Sequence, residues 1–289
     1  MAHFWASDPK NFWSDLDYAG GRFGAEHVAA FAAEDKGKFI GSNFATRWGS
    51  VGFFGPVTIH PDVWDGGAGQ LLVNAACEQF DAWGVSHAGL FTFADSAKHV
   101  WTYGKFGFHP RFLTPVMAIP AATGSTHHWL CYAELPEAQR LRIEASVREL
   151  TEQLYPGLDL SAEIRTVFAR KLGDTLLLTE ADSRVSGFAV CHFGAGTEAG
   201  EGNLFVKFGA VAPGSGADQR FVALLDACIG FGSALGMVNV LAGVNTSREA
   251  AYSAMQRRGF RTQLQGVTMH RPNEPGYSRP GLFVLDDWR

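Results

Sequence analysis

The sequence predicts an α/β (α+β) fold made of two tandem domains, each a central mixed sheet with helices on both faces. Three observations predict it. One offset of 152 residues lays the second half over the first. Each half reads as strand, turn, strand, strand, helix, strand, helix and strand. Glycine and proline punctuate the two copies at matching places.

The offset carries Pro61 to Pro213, Leu72 to Leu224, Ala75 to Ala227, Ala82 to Ala234, Gly84 to Gly236, Gly107 to Gly259, Phe108 to Phe260 and Met117 to Met269, without a gap. These are residues that pack or that end elements. Upstream, Gly41 pairs with Gly187 at an offset of 146, so the second half carries a longer connection, placed in Gly194 to Asn203, which is a loop by composition. Residues 1–125 and 126–289 are the two expected domains, each of ordinary size.

In order, HVAAFAAEDKGKFIGSNF reads as a hairpin, and FFGPVTI as the next strand. A helix follows from about Gly69 to Trp83, with Leu72, Ala75, Ala76 and Phe80 on one face. GLFTFA is the next strand, and a short helix over Ala97–Lys105 is stopped by Gly107. TLLLTEADSRVSGFAVCHF and LFVKFGAV repeat the first strands in the second half, which also owns an amphipathic stretch, Pro136–Tyr155, after an apolar strand, HWLCYAEL. The counterpart of that strand projects to before residue 1. The first half is therefore expected either to lack an opening strand or to start downstream of the natural beginning. The tail from His270 to Arg289 reads as a Pro-rich loop and a strand tying the halves together.

A net charge of -5 offers no basic patch for a phosphate backbone, which excludes nucleic acid as a partner and mildly favours a cationic amine substrate. No stretch approaches the ~20 apolar residues of a membrane helix, and the first residues lack the features of a secretory signal, so the expected location is cytoplasmic. Cys77, Cys131, Cys191 and Cys228 are widely spaced in apolar contexts, which indicates neither a disulfide framework nor a metal site.

Chemistry concentrates in His60–Leu72, HPDVWDGGAGQLL, which joins a strand to a helix N-terminus through Gly66, Gly67 and Gly69. Glycines there let successive N–H groups converge on an anion, and the helix end adds ~0.5 of a positive charge. Taken alone, the run reads more readily as a plain glycine turn than as a phosphate site. A second motif, SAKHVWTYGKFGF from Ser96 to Phe108, follows one helix and one strand later.

Together the two motifs resemble the GNAT superfamily of acetyltransferases, in which a Gly-x-Gly loop caps a helix and a later short helix has the form N-x-x-A-x-x-L-Y-x-K-x-G-F. Tyr103, Lys105, Gly107 and Phe108 fall on matching positions, and the resemblance covers most of the chain twice. It implies transfer of an acetyl group from acetyl-CoA to a small-molecule or peptide amine, in a wedge where two parallel strands splay. Here those strands are expected around Val57–Ile59 and Phe91–Ala94. The backbone of Thr58 and Ile59 would pair with the pantetheine arm like an added strand and polarise the thioester carbonyl. Trp64, Asp65, Gly66, Gly67, Ala68, Gly69 and Gln70 would meet the pyrophosphate, and Ser96 and His99 the cofactor from the other rim. Tyr103 matches the family's general acid for the departing thiolate; a free thiol titrates at ~8.5 and a phenol at ~10, so the site must assist. Its competing reading is an amphipathic Tyr packing at a helix.

This sequence departs from the family pattern at Trp64, where a basic or amide residue is usual, and at Asp65, a carboxylate beside the phosphate loop. Ser96 stands for Asn and His99 for Ala. No general base is assigned: His60, His87, Asp95 and His99 lie near the strand ends, where structural or exposed roles suit each, and ordered water can serve instead.

The same offset turns Gly67 into Gln219, Gly69 into Phe221 and Tyr103 into Met255, so the second half reads as a degenerate copy. The alternative is a shifted loop at Gly214 and Gly216, with Asn245, Arg248 and Tyr252 as a polar cluster. A helix N-cap at Asn245 or Thr246 with Arg248 exposed explains those residues as simply. For the whole chain, an N-acetyltransferase acting through its first half competes with a non-catalytic CoA or small-ligand binder and with a partner-binding pseudoenzyme.

Overall fold

In the computed structural model, which describes residues 15–64, 66–121, 128–181 and 184–289, the two halves share one continuous sheet. The first half contributes strands β1 (Val28–Asp35), β2 (Lys38–Trp48), β3 (Val51–Phe54) and β4 (Thr58–Ile59). Helix α1 (Ala68–Ala82), strand β5 (His87–Phe93), helix α2 (Ala97–Gly104) and strand β6 (His109–Pro120) follow. The second half opens with β7 (Leu130–Cys131), α3 (Glu137–Leu154) and α4 (Ser161–Ala169). It then repeats the pattern as β8 (Gly173–Thr179), β9 (Val185–Gly194), β10 (Gly200–Val211), α5 (Ala217–Ala234), β11 (Asn239–Gly243), α6 (Glu249–Arg258) and β12 (Arg261–Arg271), and ends in β13 (Val284–Leu285).

The strand order is β1-β2-β3-β5-β12-β6-β11-β10-β9-β8-β7, with β4 paired to β2 and β13 to β10. The last long strand of each half thus lies against the other half's strand: β12 pairs with β5, and β6 with β11. An antiparallel ladder between β6 and β12 joins the two exchanges. The expected boundary at 125 and 126 falls in 122–127, outside the described residues.

Alternation along the strands distributes side chains to three cores. Phe54 faces α1, whose buried Val73, Ala76, Cys77 and Phe80 recur at helical spacing, in a cluster with Leu90 and Phe108. Its neighbour Phe53 points to the opposite face. There it joins Trp48 and Val51 with Ile143, Val147 and Leu150 of α3, Ile164 and Val167 of α4, and Trp288 of the tail. The third core lies under α5 and α6. The second half therefore has helices on both faces of its sheet, whereas the far face of the first half is covered by residues of the second. Each fully buried large apolar side chain contributes ~1.5–3 kcal/mol, so this shared core ties the halves firmly.

Two expectations are corrected here. HWLCYAEL is a strand only at Leu130–Cys131 and turns into a 3₁₀ helix at Tyr132–Glu134, where the Ala133 amide donates to Asp174. The loop expected over Gly194–Asn203 is shorter, because Gly200 already pairs with Gly194. Helix α4, which the sequence reading omitted, is amphipathic and buries Ile164 and Val167. Among the described residues no strand precedes β1, which forms an edge of the sheet. No described helix is long and apolar enough to cross a membrane.

Candidate functional site

A gap opens in the first half because β3 and β5 pair in parallel only as far as Phe53 and Gly89. At Gly55, whose φ of 142° only glycine tolerates well, the chain leaves β5 and returns as β4, paired solely to β2. Beyond Gly89, β5 is bonded on its other side to β12. The stretch Pro56–Ile59 and the stretch Leu90–Phe93 therefore face one another with no strand pairing described between them. This is the splay the sequence placed at Val57–Ile59 and Phe91–Ala94.

One rim of the gap is the turn into α1. A 3₁₀ turn at Pro61–Val63 leads to Trp64, which is half exposed and donates its indole N–H to the Ile59 carbonyl at 2.9 Å. Gly67 caps α1 in the left-handed region at φ 87°, and no side chain caps the helix. The amides of Gly67, Ala68 and Gly69 have no intrahelical acceptor, whereas those of Gln70 and Leu71 return to the Gly67 carbonyl. No acidic residue stands in this first turn, so the helix end remains attractive to an anion. A Cβ on Gly69 would meet only Ile59, at 3.8 Å. Thr58 has its hydroxyl engaged with Ser42 at 2.7 Å, which leaves its backbone as what it offers the gap. Asp65 lies outside the described residues.

The other rim is α2. Four rings run from the end of β5 to the end of β3: Phe93 beside His99 at 6.3 Å, His99 stacked on Tyr103 at 6.3 Å, and Tyr103 edge-on to Phe54 at 5.7 Å. Ser96 precedes α2, and its Oγ, like Nδ1 of His99, is buried without a partner among the described residues. Burial pushes the Tyr103 phenol up to about 12, so it keeps its proton at neutral pH. Burial, with Lys98 nearby, lowers His99 and keeps it neutral.

Of the other residues singled out, His60 and Asp95 are exposed, and His87 is fully buried at the far end of β5. The His87 ring bonds His270 at 3.1 Å, and burial lowers it to about 4; it is structural. Phe54 and Phe93 were not anticipated in the site, although FFGPV and GLFTFA carry them to the strand ends. Arg22 was also missed: it is buried, and its guanidinium donates to the carbonyls of Gly55 and Arg289, with no motif to announce it. No cluster able to hold a metal is found among the described residues.

The second half repeats this frame with a correction to the alignment. Gly216, at φ 74°, caps α5 as Gly67 caps α1, so the structural partner of Gly67 is Gly216 and that of Gly69 is Asp218, not Gln219 and Phe221. The reason is a pair of cancelling changes. Helix α5 has 18 residues against 15 in α1, and the turn before it is three residues shorter, so the offset on either side stays constant. Phe221 is a core residue, and the glycine cap is retained with an acidic residue in its first turn. Met255 does occupy the place of Tyr103, seventh in its helix, and is buried. Arg248 is not exposed: it precedes α6 as Ser96 precedes α2, fully buried against Asp286. Asn245, also buried, donates to Thr268 at 2.7 Å.

Strands β10 and β11 part after Val206 and Ala242, as β3 and β5 part in the first half. Here the gap is filled. Val284 and Leu285 of β13 pair antiparallel with Ala210 and Gly209, on the stretch of β10 that has left β11.

Residues 1–108 match the model of the acetyltransferase (GNAT) family. The first half is a GNAT domain. The fold of the whole chain is that of paired GNAT domains. A GCN5-related N-acetyltransferase from Sphaerobacter thermophilus superposes with a TM-score of 0.56 at 20% identity, over 91% of this chain and 84% of that one. A tandem GNAT protein from the clavulanic acid biosynthesis pathway gives 0.52 at 13% identity, over 86% and 84%. A protein of Pyrococcus horikoshii classed among the acetyltransferases gives 0.63 at 11%, over 90% and 79%. No curated protein matches the chain in sequence.

Proposed function

We propose that the chain is an acetyl-CoA-dependent N-acetyltransferase that acts on a small-molecule or peptide amine and works through its first GNAT domain. One observation carries this reading: the β3–β5 gap combines a strand edge without a strand partner among the described residues, a helix N-terminus that no side chain caps and a line of rings that includes a protonated tyrosine.

The residues present fit the group. Ser96 and His99 each hold a buried polar atom without a partner at the rim, and the glycines leave room where a Cβ would intrude on a close-bound anion. The backbone of Thr58 and Ile59 would offer the amide-bearing arm of acetyl-CoA an edge to pair with once the Trp64 indole releases the Ile59 carbonyl. The amides of Gly67, Ala68 and Gly69, which have no intrahelical acceptor, would orient the pyrophosphate. When bound, acetyl-CoA supplies an acetyl group activated as a thioester for transfer to the amine.

Tyr103 holds a proton at its hydroxyl through the whole neutral range; because burial makes the phenol a weaker acid than a thiol, it would stabilise the departing sulfur by sharing that proton as a hydrogen-bond donor and not by giving it up outright. Phe54 packs edge-on against the Tyr103 ring at 5.7 Å, and His99 stacks on it. His60 and Asp95 are exposed and His87 is bonded to His270, so none of the three is a base fixed in the gap, and ordered water or His99 takes the amine's proton.

The test is thiol release from acetyl-CoA in the presence of a panel of amines. Turnover with at least one amine, reduced in Tyr103→Phe, supports the reading; no amine-dependent thiol release by protein that binds acetyl-CoA would move it to the non-catalytic ligand binder.

A further inference from the structure

We propose that the C-terminal segment Leu282–Trp288 is a built-in ligand of the second half's cleft, seated on the edge that an acyl-CoA arm would need. The chain therefore has one cofactor site and not two. This rests on reading the first-half gap as the acyl-CoA site.

The segment crosses the sheet at that cleft and takes its strand edge, while a cavity of about 570 Å³ remains between α5 and α6 with Phe283 in its wall. Phe283 packs on Phe221 of α5 at 5.2 Å, on the side where the α5 N-terminus opens. Val284 and Leu285 then bond to Ala210 and Gly209 and point to opposite cores, Val284 under α3 and α4 and Leu285 under α5. Asp286 meets Arg248 and Tyr277, and all three are buried. Asp287 lies against Gly243, the last residue of β11, so closely that a Cβ there would come within 2.4 Å of the Asp287 Cβ. Trp288 covers Gly89 of the first half, where a Cβ would meet the indole at 2.1 Å. Glycine at these two positions is what lets the segment lie against both strands.

A strand edge accepts one partner. The N–H and C=O groups of β10 that remain after it leaves β11 are satisfied by β13, so an amide-bearing arm finds no donors or acceptors there. The segment is tethered by the intervening loop, which gives it an effective concentration of ~mM before any side-chain contact is counted. The matching edge in the first half, at Pro56–Ile59, carries no such strand among the described residues.

Amide hydrogen exchange on the full-length chain, with and without saturating acetyl-CoA, tests this. Amides of Gly209, Ala210, Val284 and Leu285 are expected to exchange only with global unfolding, and acetyl-CoA is expected to leave them unchanged while it slows Gly55–Leu72. Rapid exchange at Val284 and Leu285, or acetyl-CoA that releases the tail and protects β10 in its place, would overturn the proposal. Loss of the effect at Gly55–Leu72 alone counts against the first-half site and leaves the tail assignment standing. A chain ending at Pro280 provides a second readout: a peptide of residues 281–289 is expected to bind it, or to restore its folding, and not to bind the intact chain. A folded truncated chain that ignores the peptide would also overturn the proposal.

Discussion

Thr114 faces Gly266 across the β6–β12 ladder, and the two residues occupy the same position of the repeat, 152 apart in the chain. A pseudo-twofold axis passes between them. Around it each half gives its final strand to the other, and the shared core beneath Trp48, Phe53 and Trp288 closes the assembly from one side.

Residues 1–125 and 126–289 produced separately are expected to be poorly folded or aggregated. The first fragment loses β12 from the edge of β5 and the cover over Trp48, Val51 and Phe53. Mixed or co-expressed, the two are expected to reassemble, which sedimentation and circular dichroism would detect. Cooperative unfolding of a monomeric 1–125 fragment would contradict the exchange as a requirement for folding.

Tyr103→Phe is expected to lower kcat by ~10²-fold or more while acetyl-CoA affinity changes little, since the ring's contacts with Phe54 and His99 remain. Because its folded pKa of about 12 exceeds the unfolded value of 10.0, Tyr103 keeps its proton across the assay range. The alkaline limb of the pH–rate profile below pH 10 should therefore be the same in the variants that retain a tyrosine here. A matched fall in affinity, with kcat intact, would assign the residue to binding.

The duplication was legible because Gly84, Gly107 and their partners end elements, and ends are where composition speaks most plainly. The exchange of β6 and β12 was not, since the apolar pattern of a strand is the same whichever sheet it completes. The apparent replacement of Gly69 by Phe221 misled for a similar reason: a shortened turn and a lengthened helix cancel, so counting residues cannot see either. Gly67 and Tyr103 lie on the two rims of the gap, one at the cap of α1 and the other against Phe54. Arg22 and Trp288 were invisible because their partners, Gly55, Arg289 and Gly89, are far away in sequence and are chosen by packing.

Glu198 is buried between Arg22 at 2.8 Å and Lys207 at 2.7 Å, and these cations hold its carboxyl down to about 2 against the cost of burial. Glu198→Ala is expected to destabilise the fold by ~3–5 kcal/mol, because two buried cations lose their counter-charge. Urea unfolding gives the value directly. A change below ~1 kcal/mol would mean that water already reaches the cluster.

His87, His192 and His270 are lowered from 6.5 to about 4, about 4 and about 3, chiefly by burial. In such groups the unfolded chain takes up protons that the folded chain refuses, so the stability they confer is present above pH 6.5 and is lost as pH falls toward 4. The thermal midpoint is expected to drop in that window, before the depressed carboxylates contribute further losses below pH 4.5. A midpoint that stays flat from pH 7 to 4.5 would show that these rings are not buried as neutral groups.

Calorimetric titration of acetyl-CoA into the intact chain, repeated with Gly69→Phe, tests the central claim most directly. One equivalent bound by the intact chain and none by Gly69→Phe, in a variant that remains folded, is the expected result. Two equivalents, or binding that survives Gly69→Phe, would place the cofactor somewhere other than the gap between β3 and β5.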